Sequence, residues 1–431
     1  MNEAQQSAWQ RVFYMAALIV AGEAIFSLPF HVTRYFRPTV LEVFGFTNVD
    51  LGGAMAVYGV VAIIAYFFGG PLADRFSPRG LIVASLMTTG LGGVYMATIP
   101  GVLGMSVLWG VWGLTSIFAF WAALIKATRD WGGDDAQGRA FGILDGGRGV
   151  VSVIMALAAA KTFALLMPEN VEAATMAERT AALQNIIYTY TAATFLAAVV
   201  VWFGMPASTA RPPASQAARA SMWAGIPQVL RRPTIWLQAL VIICAYVAYK
   251  GTDFYGQLAS DVYGMNDVES AWVSTISAWA RPVACVAAGL LADRFLSSKV
   301  VSACFVVLIA VFLYMGVAPI NPDLVWMLTM EIIIACIAVY GLRGVYFALF
   351  EEASLPVALT GTAAGVVSII GYTPDIFVGP IAGWLLDTYP GATGHQYLYL
   401  CLAGTAAVGL VASVTFSMLA RRGRAEIMAA A

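Results

Sequence analysis

Nine ionisable side chains stand inside long apolar runs: Glu23, Asp145, Arg148, Lys250, Asp253, Arg281, Glu331, Arg343 and Asp375. A charge surrounded by hydrocarbon is costly unless it faces a partner or a polar cavity, so each marks a place where chemistry is expected. Arg281, followed by Pro282, sits mid-run. A guanidinium there grips a carboxylate, phosphate or sulfonate through two parallel hydrogen bonds and keeps its proton. The alternative for Arg281 is a structural salt bridge to Asp375 or Glu23. Arg343, in Tyr340-Gly-Leu-Arg343-Gly344, is either a second anion ligand or half of an inner gate with Glu351, Glu352 or Asp145. Lys250 and Asp253 are three apart, hence on one helical face, with Gly251 between them to loosen the helix. Tyr246, Tyr249 and Tyr255 surround them. They form a self-satisfied ion pair or a positive, aromatic cavity wall. Arg281, Arg343, Lys250, Tyr249 and Tyr58 are the expected substrate ligands, and Trp112, Trp121 and Trp279 are further candidates for the wall.

Three carboxyls, Glu23, Asp375 and Glu331, are suited to carry a coupling proton. A carboxylate in low dielectric favours its neutral form, and a nearby Arg reverses that preference. Pro374 before Asp375 predicts a kink. Asp145 and Arg148 share a face of one run and read as a structural or gating pair. His31 is placed near a cavity entrance and His395 at a surface.

The elements that must position these groups are membrane spans. The chain is 60% hydrophobic and 11% charged, with a mean hydropathy of +0.80; an average soluble domain carries about 25% charge. Twelve runs are each long enough to cross roughly 30 Å of hydrocarbon: 12–33, 50–73, 80–99, 103–126, 139–165, 183–205, 234–257, 270–292, 299–318, 323–350, 361–386 and 396–420. The polar residues 1–10 offer no cleavable signal, so the first helix is expected to direct its own insertion. With both termini inside, the inner loops and tails hold fifteen of the 23 Lys and Arg and the outer side four, which fixes a cytoplasmic orientation for both termini. The five cysteines lie in apolar runs without metal spacing, and no cofactor or metal is expected. A net charge of −1 gives no footprint for nucleic acid.

The pentapeptide Leu-Ala-Asp-Arg-Phe occurs at Leu72–Phe76 and again at Leu291–Phe295, 219 residues later in a chain of 431. Each copy follows a long apolar stretch, at the inner end of the second and eighth spans. The chain has thus been written twice, with the Pro/Ser/Ala/Arg-rich connection between the copies as a linker. The expected organisation is an all-α membrane protein of two pseudo-symmetric six-helix bundles, 1–205 and 234–431, joined by a cytoplasmic linker, 206–233. On this ruler Arg281 falls opposite Ala62, so it breaks the pseudo-symmetry.

The first copy, Gly70-Pro-Leu-Ala-Asp-Arg-Phe-Ser-Pro-Arg79, resembles the Gly-x-Leu-Ala-Asp-Arg-x-Gly-Arg loop of the major facilitator superfamily. The twelve spans, the 6+6 repeat and the central inner loop resemble it too, while Ser77 and Pro78 depart from the motif. The resemblance implies that Asp74, Arg75, Asp293 and Arg294 belong to a conformational latch, with interface anchoring as the plainer alternative. It also implies that spans three, six, nine and twelve lie against lipid. Those spans lack interior charges apart from Lys299 at the start of the ninth, so the charge distribution agrees. Gly379-Pro-Ile-Ala-Gly383 is similar to a packing motif of antiporter branches, but that motif is absent from span five, its usual place.

Anion-carrying branches of the superfamily, monocarboxylate transporters among them, place an Arg on span eight as this chain does. The resemblance therefore implies a monomeric inner-membrane transporter that moves a small organic anion by alternating access with proton symport. The alternative is a carrier of a neutral or zwitterionic solute, a sugar or drug-like compound, with Arg281 structural. A sugar carrier should show a cavity rich in Asn and Gln; here Gln238 and Gln257 sit near the ends of span seven. A sensor or membrane enzyme is the third class, and the sequence has no GxSxG, HExxH, Walker A or CxxC to support it.

Overall fold

The structure is a computed structural model. It describes residues 8–133, 137–206, 226–319, 321, 324–353, 355 and 357–430; for 8, 67–75, 137–138, 357–358, 360–361 and 423–430 the backbone alone is described. Most of the expected linker, and the side chains of Asp74 and Arg75, therefore lie outside the described residues. The described chain is almost wholly helical, and the helices fall into twelve spans in sequence order. Eleven are long and apolar enough to cross a membrane: Trp9–Tyr35, Asn48–Tyr66 (the described part of Asn48–Arg75), Val102–Gly132, Arg139–Leu166, Met176–Gly204, Pro233–Tyr263, Asp267–Arg294, Ser297–Val317, Val325–Glu352, Thr362–Thr388 and Ala392–Arg422. The remaining one, span three, is Pro78–Met96, whose mean hydropathy is diluted by Pro78, Arg79 and four glycines. Large apolar side chains such as Leu103, Leu165 and Phe203 are more than three-quarters exposed, as a lipid-facing surface requires.

Those glycines serve packing. A methyl group at Gly90 would stand 2.5 Å from the Phe195 ring, and one at Gly93 would stand 2.2 Å from Thr191 Oγ1. Span three thus lies directly on span six. In the other half span nine lies in the same way along span twelve.

The chain divides into two compact units. The first contains Met1–Pro213 together with Asn266–Ala278, the beginning of span eight; the second contains Ala214–Met265 and Trp279–Ala431. In the first unit Asp267 accepts a hydrogen bond from Thr39 (2.7 Å) and pairs with Arg179, which also reaches Glu42 at 2.9 Å.

The repeat extends to backbone detail. Gly45 ends one helix with φ +63°, and Gly264, again 219 residues later, ends another with φ +65°. Both occupy the left-handed conformation that glycine adopts without steric cost. Spans two and eight then begin at Asn48 and Asp267, also 219 apart.

The departures from the repeated motif also acquire a reason. Ser77 is the N-cap of span three, accepting from the Gly80 N–H at 3.2 Å, and Pro78 occupies the first helical position, where its missing N–H is harmless. After the second copy no side chain of the loop caps span nine. Glu352, from the end of span ten, accepts instead from the Ser298 N–H at 2.8 Å. Asp293 and Arg294 are exposed, with the Arg294 guanidinium over the Phe295 ring at 5.7 Å.

Candidate functional site

In the second unit three helices are interrupted where the charges sit. Span seven runs as an α-helix to Gly251, tightens into a 3₁₀ turn at Thr252–Phe254, and resumes at Tyr255. Span eleven stops at Gly371 and restarts at Pro374. Span ten passes into a 3₁₀ turn at Tyr346–Ala348, where the buried Gln238 amide donates to the Tyr346 carbonyl at 3.0 Å. Interrupted helices leave backbone groups unsatisfied, which a bilayer tolerates only where protein or a polar cavity takes them up.

The breaks also orient charge. Lys250 lies in the last turn of its helix and Asp375 in the first turn of its own, so each faces the helix end that favours it. Lys250 Nζ is 3.0 Å from Asp253 Oδ2 and 3.5 Å from Asp375 Oδ1, and the three side chains are at most a tenth exposed. Asp375 Oδ2 accepts from the Tyr246 hydroxyl at 3.0 Å. Tyr246 packs on Tyr249 and Tyr372, and Tyr249 packs on Tyr340. The Arg343 guanidinium lies over the Tyr249 ring at 4.0 Å and the Tyr246 ring at 5.6 Å. Its Nη1 is buried without a hydrogen-bond partner.

Lys250 and Asp253 do pair, but Asp375 joins them, so the pair is a triad. Of the gate partners proposed for Arg343, Glu352 caps span nine and Asp145 pairs with Arg148. Tyr255 is fully buried in the core. Arg281 is partly buried; of its two proposed salt-bridge partners, Asp375 is engaged by Lys250 and Tyr246, and Glu23 by His31 and Arg148. One turn along the same helix, Cys285 donates to the Tyr340 carbonyl at 3.3 Å, and Gly344 lies against Cys285. Arg281 thus projects from the face of span eight that meets the arginine-bearing helix.

The first unit has its own buried cluster. Span one carries a π-helical turn at Ser27–His31, containing Pro29. Eight residues of regular α-helix rotate by about 800°, so His31 would otherwise stand roughly 80° away from Glu23. The wider turn rotates less per residue and brings them together: His31 Nε2 is 3.3 Å from Glu23 Oε1. Arg148 Nε lies 3.6 Å from Glu23 Oε2 and donates to the Gly22 carbonyl at 3.0 Å, while its Nη1 reaches Asp145 at 3.2 Å. The guanidinium lies over the Phe26 and Trp121 rings. The expected Asp145–Arg148 pair is therefore one arm of a larger group, and His31 is a buried partner of Glu23, not part of an entrance. A second π turn, Leu114–Trp121, interrupts span four. Tyr58 is buried and its hydroxyl meets Ser116 at 2.8 Å, while Trp112, also buried, donates to the Thr89 carbonyl. Trp279 is half exposed.

Glu331 stands apart from both clusters. It lines a cavity of about 190 Å³ with Tyr263, Tyr314, His395 and Tyr399, among others. His395, expected at a surface, is completely buried. No group of three or more His, Cys, Asp or Glu among the described residues is arranged to hold a metal.

Residues 12–380 match the family model described as Major Facilitator Superfamily. The chain belongs to that superfamily. It is a multi-pass membrane transporter and not an enzyme. It is 29% identical to inner membrane protein YqcE of Escherichia coli over 420 residues, covering 96% of this chain and 95% of that one. It is 27% identical to inner membrane protein YihN of the same organism, covering 96% and 97%. Its fold is shared with a bacterial homologue of the human lysosomal transporter Spinster in an inward-facing, unoccupied conformation, at a TM-score of 0.70 and 14% identity, over 96% of this chain and 98% of that one.

Proposed function

We propose that this transporter moves a small organic anion together with a proton. Arg343 carries the reading. A guanidinium in a membrane span, with tyrosine faces around it and a buried N–H left unsatisfied, is poorly compensated until an anion arrives. The substrate's carboxylate, sulfonate or phosphate takes that place, Tyr249 and Tyr246 wall its organic part, and Arg281 supplies a second cationic contact.

The proton follows from what the anion does to its neighbours. Arg343, Lys250, Asp253 and Asp375, linked through Tyr246, sum to zero when all are ionised, and Arg281 adds one positive charge. A monoanion offsets Arg281; a dianion such as a phosphate ester needs one proton besides to keep a low-dielectric site neutral. Asp375 is the acceptor of choice. It shares Tyr246 with Arg343, so negative charge at Arg343 raises the proton affinity of its carboxylate. Glu23, between His31 and Arg148, is a second candidate carrier in the first unit.

The excess of basic residues in the loops assigned inside supports a cytoplasmic position for both termini. The names of the two Escherichia coli relatives support a bacterial inner membrane. The tyrosine-rich wall also suits a second reading, a neutral ring-bearing solute held by stacking, with the arginines structural.

Purified protein in proteoliposomes separates the two. Arg343→Gln and Arg281→Ala are each expected to lower uptake of the anionic substrate at least tenfold without loss of folded protein, and Lys in either place should restore it incompletely. An inward proton gradient should drive accumulation. Wild-type anion uptake by both variants would overturn the anion site, and uptake indifferent to pH gradient and membrane potential would identify a uniporter.

A further inference from the structure

We propose that the cavity around Glu331 is a separate binding site for a small organic cation. The ends of spans seven, nine, ten and twelve within the second unit form it, on the side that the charge bias assigns to the exterior. Two of its groups are fully buried polar atoms lacking a hydrogen-bond partner: His395 Nδ1 and the Tyr399 hydroxyl. The chemistry of the first is set by its other nitrogen. His395 Nε2 lies 3.1 Å from Asp261 Oδ2. An ionised carboxylate only accepts, so Nε2 carries a hydrogen, and in the neutral form of the ring Nδ1 is then a lone-pair acceptor. The Tyr399 oxygen is a further acceptor, and Glu331 adds a carboxylate. Among the described lining residues there is no Lys or Arg. Tyr263 and Tyr314 supply aromatic walls of the kind that attract a cation.

Acceptors, negative charge and aromatic faces together select an ammonium group on a compact apolar body. The volume of about 190 Å³ equals roughly six water molecules at about 30 Å³ each, too small for a drug-sized ligand. The groups that engage Arg343 and Asp375, namely Tyr246, Tyr249 and Lys250, are not among the lining residues, so this site is independent of the anion reading.

Benzylammonium is a suitable probe and benzyl alcohol its neutral control, titrated calorimetrically into the purified full-length protein. The cation is expected to bind at least tenfold more tightly than the alcohol. Glu331→Gln should weaken it at least tenfold, and Tyr399→Phe several-fold. If Glu331→Gln fails to elute as folded protein on size exclusion, the Tyr399→Phe loss decides. Equal affinity for cation and alcohol overturns the proposal, as does undiminished benzylammonium binding in the folded variants.

Discussion

Lys250 is shared by two carboxylates, Asp253 and Asp375, and all three are buried. Removing one member of such a group leaves uncompensated charge, which costs about 3–5 kcal/mol. Lys250→Met should therefore lower the melting temperature of the detergent-solubilised protein by several degrees, and adding Asp375→Asn should recover part of the loss, because the two changes act on one interaction. A double variant no more stable than Lys250→Met would mean that the two side chains are not coupled. The charged members of this group were legible in the sequence, since any ionisable residue in an apolar run stands out. Their neighbours were not. Tyr340, Tyr346 and Tyr372 come from two other spans of a chain with 18 tyrosines, and nothing in residue type or spacing marks those three. His395 was misread for a related reason: a histidine at the start of a span is compatible with a surface or a cavity, and only the packing of span twelve decides.

The elements divide in the same way. The break in span seven follows from Gly251 and the break in span eleven from Pro374, each a residue that weakens a helix by a known mechanism. The π turns of spans one and four carry no comparable signal. Pro29 lies in one of them, but Leu114–Trp121 is an ordinary apolar run, and the turn reflects how it packs. The closeness of spans three and six is more easily read, because a helix with glycines at 90, 92 and 93 invites close approach. Gly90→Val would press a branched side chain onto Phe195, an overpacking that costs about 1–3 kcal/mol. The expected outcome is a lower melting temperature, with substrate affinity retained in the folded fraction. A valine tolerated there without loss would show that the Phe195 ring is free to move aside.

For the whole molecule, the repeat and the hydropathy made the two-fold plan of twelve spans readable before any coordinates. What they did not reveal is that Asn266–Ala278, the start of span eight, clusters with the first unit. A boundary drawn through a linker cannot anticipate a helix shared between units. The orientation is open to direct measurement. In a background lacking the five native cysteines, Glu172→Cys should react with a membrane-impermeant maleimide in intact cells, and Asp293→Cys only after lysis. The reverse pattern would invert the topology.

The two left-handed glycines, Gly45 and Gly264, set the phase of the helices that follow them. Each residue inserted or deleted between Gly45 and Asn48 would turn span two by about 100° about its own axis, carrying Tyr58 away from Ser116. The same error after Gly264 would turn span eight and swing Arg281 and Cys285 together away from the arginine-bearing helix of span ten. The length of these two connections is thus fixed by angle more than by reach, and a carrier of this design should tolerate substitution there far better than a change of a single residue in length.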